Sequence, residues 1–399
     1  MKVVVALEAR FERTPDGAIW TLVGFAYSFW KRYLDVFDQV CVVARVKDVS
    51  HVPSDWQRVE GEGVSCFPIP YYIGPWQYLI KAWAVQQAAQ KSVGHRDAVI
   101  LRVGGMIASC IQPMLVKTGH PYAVEVVADP YDSFAPGSIK SPVRPFLRWY
   151  SPRRLRDQCL EASAAAYVTQ DALQKRYPCQ NFSIGVSDVE LGEETFVSQP
   201  RYYQEKTAPF TLIFVGTMAQ LYKAPDVLIN AVAVCVRDGL DIQLILIGNG
   251  QYRGELEAQA QALGIGERAI FLGQLQAGEV VRAQLDRADI FVLPSHQEGL
   301  PRAMVEAMAR ALPCIGSTVG GFPELLPAEY LVPPGDVEAL AAKIREVIAN
   351  PDRMARMSAR NLEKAKEYTE EVLQQQRLIF YRYVREQTEA WIEKKNQSI

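Results

Sequence analysis

The sequence predicts an α/β protein with two Rossmann-like domains, each built on a parallel β-sheet. Apolar runs of strand length alternate with helical segments in the first half, and the alternation begins again at Phe210. The 399 residues suffice for two domains, since a typical domain has roughly 100–200. A polar stretch without periodicity, from about Asp188 to Pro209, is the predicted linker. Strands that alternate with helices favour parallel sheets, because each parallel pair needs a crossover connection.

The first half contains four predicted strands. Lys2–Leu7 is a nearly continuous apolar run, as expected of a strand buried on both faces. A loop over 14–17 follows, and the apolar, aromatic segment from Ile19 to Tyr33 has helical length. The next strands are predicted at Val40–Ala44, Ala98–Val103 and Tyr122–Val127.

The second half is a more regular series. Its predicted strands are Phe210–Val215, Asp241–Ile247, Ile270–Leu272, Ile290–Leu293 and Pro313–Gly316. Its predicted helices are Ala224–Val236, Gln251–Leu263, Glu279–Leu285 and Pro301–Ala311. From Pro351 the chain is charged and helical, and this segment is too long to be only the last helix of the second domain.

Composition excludes several classes of protein. The formal net charge of −2 provides no general attraction for nucleic acid. The seven cysteines are scattered without a Cys-x-x-Cys pair, which argues against a zinc or redox motif and favours a reducing compartment. The apolar start stops at Glu8, and no apolar run has the length of a membrane span. We therefore expect a soluble, cytoplasmic protein.

Two glutamates, Glu298 and Glu306, flank the predicted start of a helix. Glu298 lies in the loop after the strand Ile290–Leu293, Pro301 suits the first helical position, and Glu306 then falls in the second turn. A helix N-terminus at the carboxyl end of a parallel strand has free N–H groups and favours a diphosphate. Acidic residues in early helical turns are also favoured by the helix dipole alone, so this spacing does not by itself show that the glutamates bind a ligand.

Several stretches of the second half resemble the retaining glycosyltransferases of family 4. The resemblance covers roughly 210–332. It rests on Phe214-Val215-Gly216 with Lys223 after it, Ile247-Gly248-Asn249-Gly250, Phe271-Leu272-Gly273, 288–295 with the Glu298–Glu306 motif after it, and Gly320-Gly321-Phe322-Pro323-Glu324. It implies the GT-B fold, in which two Rossmann-like domains face a central cleft and a C-terminal helix returns to the first domain. We expect an acceptor domain at 1–190, a nucleotide-sugar domain at 205–370 and the returning helix at 371–399.

The resemblance also implies a role for each matching residue. Glu298 and Lys223 are the expected catalytic residues, with Glu298 holding hydroxyls of the donor sugar and Lys223 binding the diphosphate. Glu306 is expected to accept both ribose hydroxyls of the nucleotide. The other expected donor-binding residues are Gly17, Gly216, Thr217, Asn249, Leu275, Gly299, Leu300 and Pro301.

The chain departs from the family pattern around the phosphates. Thr217 follows Gly216 where the family often has an arginine, so Lys223 is expected to act with less help, from Arg253 or Arg302. The N-terminal glycine loop is reduced to Thr14-Pro15-Asp16-Gly17. There Gly17 either lets the backbone approach a phosphate or forms a plain turn.

A further departure concerns the histidine that the family usually has at the end of a central strand in the first half. Here Tyr122–Val127 is followed by Ala128-Asp129-Pro130. Asp129 is a weaker candidate for the same neighbourhood. His120 precedes the strand and is expected to be structural or solvent-facing.

No cofactor is expected beyond the nucleotide-sugar substrate itself. The chain has no Asp-x-Asp triplet and only four isolated histidines, which argues against a metal. The resemblance implies attack on the face from which the leaving group departs, with a phosphate oxygen taking the acceptor's proton.

The segment 144–156 is basic and aromatic. It contains five arginines together with Trp149 and Tyr150. It is either a solvated helix face or a surface that meets anionic lipid heads or the pyrophosphate of a lipid-linked saccharide.

The function predicted from these observations is transfer of a hexose from a nucleotide diphosphate sugar to a saccharide or lipid-linked saccharide, in polysaccharide or glycoconjugate biosynthesis. UDP-glucose is the preferred donor because it is frequent in the family. The alternatives are a non-catalytic nucleotide-sugar-binding or scaffold protein of the same fold and a sugar-nucleotide epimerase. Gly248-x-Gly250 also suggests an NAD-linked oxidoreductase, but Arg253 replaces the third glycine of that fingerprint.

Overall fold

The computed structural model describes residues 1–22, 24–134, 142–189, 191–204 and 209–397, which form two α/β domains of the GT-B fold. The strands are β1 (Lys2–Arg13), β2 (Ile19–Thr21), β3 (Gln39–Asp48), β4 (Gln57–Arg58), β5 (Val64–Pro70), β6 (Ala98–Val103), β7 (Ala123–Val126), β8 (Ala164–Tyr167), β9 (Phe182–Gly185), β10 (Phe210–Val215), β11 (Ile242–Ile247), β12 (Ala269–Gly273), β13 (Ile290–Leu293), β14 (Cys314–Ser317) and β15 (Leu331–Val332). The helices are α1 (Tyr27–Leu34), α2 (Gly74–Lys91), α3 (Met106–Thr118), α4 (Pro130–Ser133), α5 (Arg144–Leu160), α6 (Ala172–Arg176), α7 (Pro225–Arg237), α8 (Arg253–Ala262), α9 (Glu279–Arg287), α10 (Arg302–Ala309), α11 (Phe322–Leu325), α12 (Val337–Ile348), α13 (Pro351–Ala365) and α14 (Glu370–Asn396).

The second sheet is parallel throughout, in the order β12-β11-β10-β13-β14-β15. Numbered within the domain, this order is 3-2-1-4-5-6, that of a doubly wound nucleotide-binding fold. The strand order reverses between β10 and β13, so a crevice opens at their carboxyl ends. The predicted strands of this half are confirmed, and the bounds of β10 and β13 agree to the residue.

The first sheet has a parallel core in the order β5-β3-β1-β6-β7-β8-β9. Its central strand β1 is buried on both faces, as predicted from its apolar run. Val4 and Ala6 belong to the core formed with α2, α3 and α5. Val3 and Val5 belong to a separate core formed with α1 and α14. The three helices α2, α3 and α5 therefore cover one face of this sheet.

The helix predicted over Ile19–Tyr33 is wrong in its first part. β1 runs on to Arg13, where Glu12 and Arg13 pair with Trp20 and Ile19 of the antiparallel strand β2. Gly24 and Phe25 then adopt left-handed backbone conformations with φ of 65° and 58°, and α1 begins only at Tyr27. Strand pairing of β2 with β1 in a hairpin, and with the distant β4, thus outweighs the local helical pattern.

The chain crosses between the domains twice, at adjacent positions. Leu191 and Thr369 form a parallel bridge, and the Glu370 amide donates to the Leu191 carbonyl at 3.1 Å. Beyond this point α14 lies on the first domain, where the rings of Tyr381 and Tyr33 stack at 4.6 Å. The returning C-terminal helix is therefore confirmed as part of the fold.

The predicted domain limits stay predictions. The first sheet ends at Gly185 and the second begins at Phe210. Parts of the predicted linker, residue 190 and residues 205–208, lie outside the described ranges. Within 191–204, the Arg201 guanidinium donates to the carbonyls of Leu285, Ala288 and Arg310, so this stretch is anchored to the second domain.

Candidate functional site

A cavity of about 280 Å³ lies between the domains at the carboxyl ends of β10 and β13. Its position agrees with the general rule that ligands of open α/β sheets bind where the strand order reverses. Side chains and backbone from both domains line it: Val127, Ala128, Asp129, Asp132, Ser133, Val168, Ser187 and Asp188 from the first, and Tyr222, Gln297, Glu298, Gly299, Leu300 and Arg302 from the second.

The two predicted catalytic residues form an ion pair at this cavity. Lys223 ends a 3₁₀ turn (Leu221–Lys223) after β10, and its Nζ lies 2.6 Å from Oε1 of Glu298 in the loop after β13. Ser295 Oγ donates to the same Oε1 at 3.0 Å. The second oxygen, Oε2, makes no hydrogen bond within the described part of the chain and can accept one from a substrate hydroxyl. Both side chains are largely buried, which strengthens their attraction.

Gly216 and Gly248 make room for this arrangement. A Cβ at Gly216 would overlap the Cδ atom of Lys223, so the glycine lets the lysine side chain lie across the end of β10. A Cβ at Gly248, whose φ is 137°, would overlap the Gly216 carbonyl oxygen. The loops after β10 and β11 therefore touch backbone to backbone.

Asn249 and Thr217 hold the same pair of loops. The Met218 amide donates to the Asn249 carbonyl at 2.9 Å, and the Asn249 side chain accepts from the Gly250 amide at 2.9 Å. Thr217 Oγ1 accepts from the Ala219 amide at 3.1 Å. The glycines that suggested a dinucleotide fingerprint thus serve contact between two loops, which removes the main support for the oxidoreductase alternative.

Glu306 lies in the second turn of α10, as predicted, although it does not line the inter-domain cavity. Pro301 is the N-cap and not the first helical residue, a shift of one position that is common at helix ends. Burial raises the pKa of the Glu306 carboxyl, against the opposing effect of Arg302 and Arg282. No hydrogen bond or ion pair from the described residues reaches this carboxylate. It is a desolvated acceptor without a protein partner.

The loop 298–300 is enclosed from both sides. A Cβ at Gly299 would lie 2.8 Å from the carbonyl oxygen of Val127, which belongs to the first domain. The Gly321 amide donates to the Gly299 carbonyl at 2.6 Å. Leu300 is buried beside it. The predicted donor-binding loop is therefore brought to the domain boundary.

Gly17 and Leu275 are not part of the cavity lining. Gly17, with φ of 86°, lies in the turn between β1 and β2, where its amide donates to the Thr14 carbonyl at 2.9 Å. Because β1 extends to Arg13, this turn projects past the end of the parallel sheet, and the plain-turn alternative describes it. Leu275 is half-buried against the second-domain core in the loop after β12.

Of the residues considered as extra cations, Arg302 lines the cavity. Arg253 instead pairs with Glu257 at 2.7 Å and donates to the Phe271 carbonyl at 3.1 Å. Arg302 is therefore the better candidate to assist Lys223.

Asp129 lines the cavity, but its carboxylate is already occupied. It accepts hydrogen bonds from the Tyr131 amide at 2.8 Å, from the Tyr177 hydroxyl and from the Arg176 guanidinium. This arrangement fits a residue that shapes the loop after β7. His120 is buried far from the cavity, with its ring edge against Trp391 and its Nδ1 3.0 Å from the Pro121 carbonyl oxygen.

A buried charge network behind the cavity was missed by the sequence analysis. Arg102 of β6 bonds the Glu125 carboxylate at 2.5 Å and the Asp188 carboxylate at 2.7 Å. Burial opposes ionisation of Asp188, but Arg102 outweighs it and lowers the pKa of that carboxyl. Tyr33 donates to Glu125 at 2.9 Å. The available signals were two charged residues, Arg102 and Glu125, each inside an otherwise apolar predicted strand.

Glu324 was quoted only as part of a motif, yet it connects the two domains. Its carboxylate accepts from the amides of Gln170, Asp171 and Ala172 at 2.6, 3.0 and 2.8 Å. These amides lie at the start of α6 in the first domain. A second-domain carboxylate thus satisfies N–H groups that would otherwise lack a partner.

A second cavity, of about 310 Å³, adjoins the first on the side of the first domain. It lies where the first sheet reverses its order, between residues 7–9 in the middle of β1, just past its pairing with β6, and residues 102–105 at and after the end of β6. Val127, Ala128 and Ser133 line both cavities. A substrate in this second cavity would therefore face one bound at Glu298.

Metal-binding clusters and membrane-spanning helices are absent from the described ranges. No group of three or more His, Cys, Asp and Glu side chains in those ranges is placed to hold a metal ion. Nor does any helix within them combine the length and apolarity that crossing a bilayer requires.

Comparison with known proteins connects this geometry with a family. Residues 198–383 match the family described as glycosyl transferases group 1. Protein CapJ of Staphylococcus aureus is 28% identical over 328 residues, which are 82% of this chain and 81% of the relative. The amylovoran biosynthesis glycosyltransferase AmsK of Erwinia amylovora is 34% identical over 143 residues, 34% of this chain and 35% of the relative.

A solved structure supports the fold. HepE of Anabaena, in complex with UDP and glucose, has a TM-score of 0.64 and 17% identity, and the match covers 94% of this chain and 98% of HepE. The resemblance expected from the sequence motifs is thereby confirmed. The second half of this chain is thus similar to the glycosyl transferases group 1, and the chain as a whole has the GT-B fold.

Proposed function

We propose that this enzyme is a retaining hexosyltransferase of family 4 type, with a nucleotide diphosphate sugar as donor and UDP-glucose as the best single candidate. The observation that carries the proposal is the Lys223–Glu298 pair at the inter-domain cavity, followed by the unpartnered Glu306 carboxylate in α10. HepE, of similar fold, has been solved with UDP and glucose, which supports this choice of donor.

Donor binding would redistribute the charges of the site. The diphosphate brings negative charge to Lys223, with Arg302 and the N-terminus of α10 nearby to share it. Lys223 would then exchange part of its contact with Glu298 for phosphate oxygens. Glu298, through its second oxygen, would accept a hydroxyl of the sugar, and Glu306 would accept the ribose hydroxyls.

The proposed reaction proceeds on one face of the sugar. An acceptor hydroxyl oxygen forms a bond to the anomeric carbon as the bond from that carbon to the diphosphate oxygen breaks. The acceptor's proton passes to the departing phosphate oxygen, so no protein base is needed. Lys223 stabilises the negative charge that develops on the diphosphate, which is the main electrostatic task of the site.

Metal independence is part of the proposal, because Lys223, Arg302 and backbone N–H groups supply the positive field that a divalent cation provides in other transferases.

The acceptor is proposed to occupy the first-domain cavity beside Glu8 and Gly105. It would be a saccharide or lipid-linked saccharide in polysaccharide or glycoconjugate biosynthesis, as the name of AmsK suggests for that relative. A cytoplasmic location with peripheral contact through 144–156 completes the proposal.

A non-catalytic nucleotide-sugar-binding protein of the same fold remains the second candidate, because Thr217 and Ala128 depart from the family pattern. Such a protein would bind UDP-glucose without releasing UDP. An epimerase would interconvert the nucleotide sugars without releasing UDP.

The test begins with calorimetric titration of UDP, GDP, UDP-glucose, UDP-N-acetylglucosamine and NAD in the presence of EDTA. Each accepted ribose hydroxyl is worth about 1.5–3 kcal/mol to a carboxylate, so Glu306→Ala should weaken UDP binding by about 100-fold or more. Glu338→Ala, an exposed acid in the first turn of α12, is the matched control and should bind normally.

UDP release from UDP-glucose, with and without added saccharide, then separates an enzyme from a binding protein. Nucleotide binding that ignores Glu306, or that requires a divalent cation, would contradict the proposed donor site.

A further inference from the structure

Helix α2 is apolar on two opposite faces, although only one of them is packed. Val85 and Ala89 point into the first-domain core. Trp76, Leu79, Ile80 and Trp83 are 76, 62, 84 and 73% exposed. Their spacing of three and four residues places them in a single stripe along the outer face. A helix that is apolar all round is normally buried all round, so the outer face of α2 lacks its partner.

Helix α5 adds a second group of exposed aromatic rings. Phe146, Trp149 and Tyr150 are exposed, and the rings of Phe146 and Tyr150 stack at 5.6 Å. Both helices are attached to the intervening helix α3. The Tyr78 hydroxyl of α2 lies 3.7 Å from the Cys110 sulfur, and Arg154 of α5 donates to the Ser109 carbonyl at 3.1 Å. We call the outer faces of α2 and α5 together the aromatic surface.

The charge around the aromatic surface is predominantly positive, with Asp157 of α5 as an exposed acid at its border. Residues 71–94 and 142–156 contain no aspartate or glutamate. They contain these basic residues: Lys81, Lys91, Arg144, Arg148, Arg153, Arg154 and Arg156. The Arg153 guanidinium lies 4.6 Å from the ring centre of Trp149, at the border of the exposed aromatic group. In a chain of net charge −2, this is a local concentration of positive charge.

We propose that the aromatic surface docks on an anionic phospholipid bilayer, with α2 lying in the plane of the interface. Tryptophan and tyrosine prefer the headgroup level of a membrane, and lysine and arginine reach the lipid phosphates from the same depth. A second copy of this chain fits less well. A two-fold interface places the same patch against itself, so five arginines of 144–156 would meet five arginines with only Asp157 of α5 beside them.

The position of the surface bears on the acceptor. Tyr72, two residues before α2, donates to the Glu8 carboxylate at 3.0 Å, and Glu8 lines the first-domain cavity. A bilayer that covers α2 therefore lies beside the cavity in which we place the acceptor. The acceptor class that suits this arrangement carries its saccharide on a membrane lipid, an inference that rests on the proposed function.

The docking is tested by flotation of the full chain with vesicles of phosphatidylcholine alone and of phosphatidylcholine mixed with phosphatidylglycerol. The wild-type protein should bind the anionic vesicles at least tenfold more tightly, and high salt should weaken that binding. Trp76→Gln combined with Trp83→Gln should reduce binding at least tenfold, and Arg153→Glu combined with Arg156→Glu should remove the preference for anionic lipid. Ile379→Gln, at an exposed site on α14, is the control and should bind as wild type does.

UDP titration of each variant shows that its fold is intact and separates the two proposals. Loss of vesicle binding with normal UDP binding supports the docking surface. Equal binding of all variants to anionic vesicles would overturn it. A wild-type protein that binds no vesicles but forms a dimer, where the double tryptophan variant is a monomer, would also overturn it. Absence of UDP binding by a protein that still binds vesicles would contradict the donor assignment and leave the docking intact.

Discussion

Burial of the Glu306 carboxylate lowers the stability of the ligand-free protein at neutral pH. Its pKa is raised because it is taken out of water without a protein hydrogen bond. A raised pKa in the folded state means that the protonated form is favoured by folding. The resulting stability is present below the ordinary glutamate pKa of 4.5 and is lost as pH rises through the folded-state value. At neutral pH, hydrogen bonds from two ribose hydroxyls would offset the stability that is lost by burying the ionised carboxylate.

Glu306→Gln should therefore raise the Tm of the ligand-free protein at pH 7.5, and the difference from wild type should narrow as the pH falls toward 4.5. The same variant should bind UDP about tenfold more weakly, because a charged acceptor is lost. Thermal melts over a pH series, with and without UDP, measure both effects. A variant less stable than wild type at neutral pH would show that Glu306 has a protein partner in solution.

Lys223 is predicted to act mainly on the leaving group. Lys223→Met should reduce kcat for UDP release by about 100-fold or more, as expected for removal of one charge-stabilising group. It also leaves Glu298 largely buried without its counter-ion, so Lys223→Arg is the control that preserves the charge. Steady-state kinetics with UDP-glucose make the comparison. If Lys223→Met and Lys223→Arg have the same kcat as wild type, the lysine does not contact the diphosphate.

At this scale the sequence predicted the second-domain residues better than those of the first. Lys223, Glu298 and Gly299 were found through the family motifs, and they lie close together because β10 and β13, which they follow, are neighbours in one parallel sheet. The pairing of Arg102 with Asp188 could not be found in this way, because it depends on how two distant segments pack. Nor does the sequence show that the Asp129 carboxylate is already occupied.

At the scale of elements, the loops after β10 and β11 are packed tightly against each other. They approach each other at Gly216 and Gly248, where no side chain fits. The end of β10 in turn carries the turn that delivers Lys223. Backbone contact between these loops therefore links the stability of the second domain to the position of Lys223, the proposed catalytic cation.

Gly248→Ala should destabilise the protein by roughly 3 kcal/mol or more, because it combines a steric overlap with a left-handed φ. Gly254→Ala is the matched control, since Gly254 is exposed in α8 with nothing within 4 Å of the added methyl group. It should be neutral or stabilising by about 0.5–1 kcal/mol. Urea denaturation of both variants gives the comparison, and equal stability would show that the loops can move apart.

Element prediction succeeded where burial on both faces produces an uninterrupted apolar run. Ala98–Val103 and Phe210–Val215 have the bounds predicted for them. It failed for β1 beyond Leu7 and for Ile19–Thr21. These segments are strands because they pair with β3 and β4, which lie far along the chain. The turn residues Gly24 and Phe25 separate this strand from α1.

At the scale of the whole molecule, the carboxylate of Glu324 connects the two domains. Glu324→Ala removes the acceptor of three α6 amides. The cleft should open more readily, so we expect a KM for the donor about tenfold higher, a larger radius of gyration by X-ray scattering and little change in Tm. Glu329→Ala, at an exposed position nearby, is the control. Unchanged scattering and unchanged KM would show that other contacts hold the domains together.

Helix α14 is a structural part of the first domain. Phe380 is buried in the core that this helix shares with β1 and α1, whereas its neighbour Ile379 is exposed. Phe380→Ala should cost about 3–5 kcal/mol, and Ile379→Ala less than about 0.5 kcal/mol. Chemical denaturation measures both. A small effect at Phe380 would mean that the helix can detach without loss of the first domain.

The return of α14 also orders events on the ribosome. The first domain leaves the exit tunnel with one face of its sheet only partly covered, because Phe380, Tyr381 and Val384, which complete that core, belong to α14 and are made after the second domain. At roughly 5–20 residues per second, translation from residue 190 to residue 370 takes about 10–40 s. Throughout that interval Trp30 and Tyr33 on α1 lack their final cover. We therefore expect the nascent chain to expose apolar surface until α14 has emerged, and a chain truncated before residue 370 to have a first domain with an incompletely covered core.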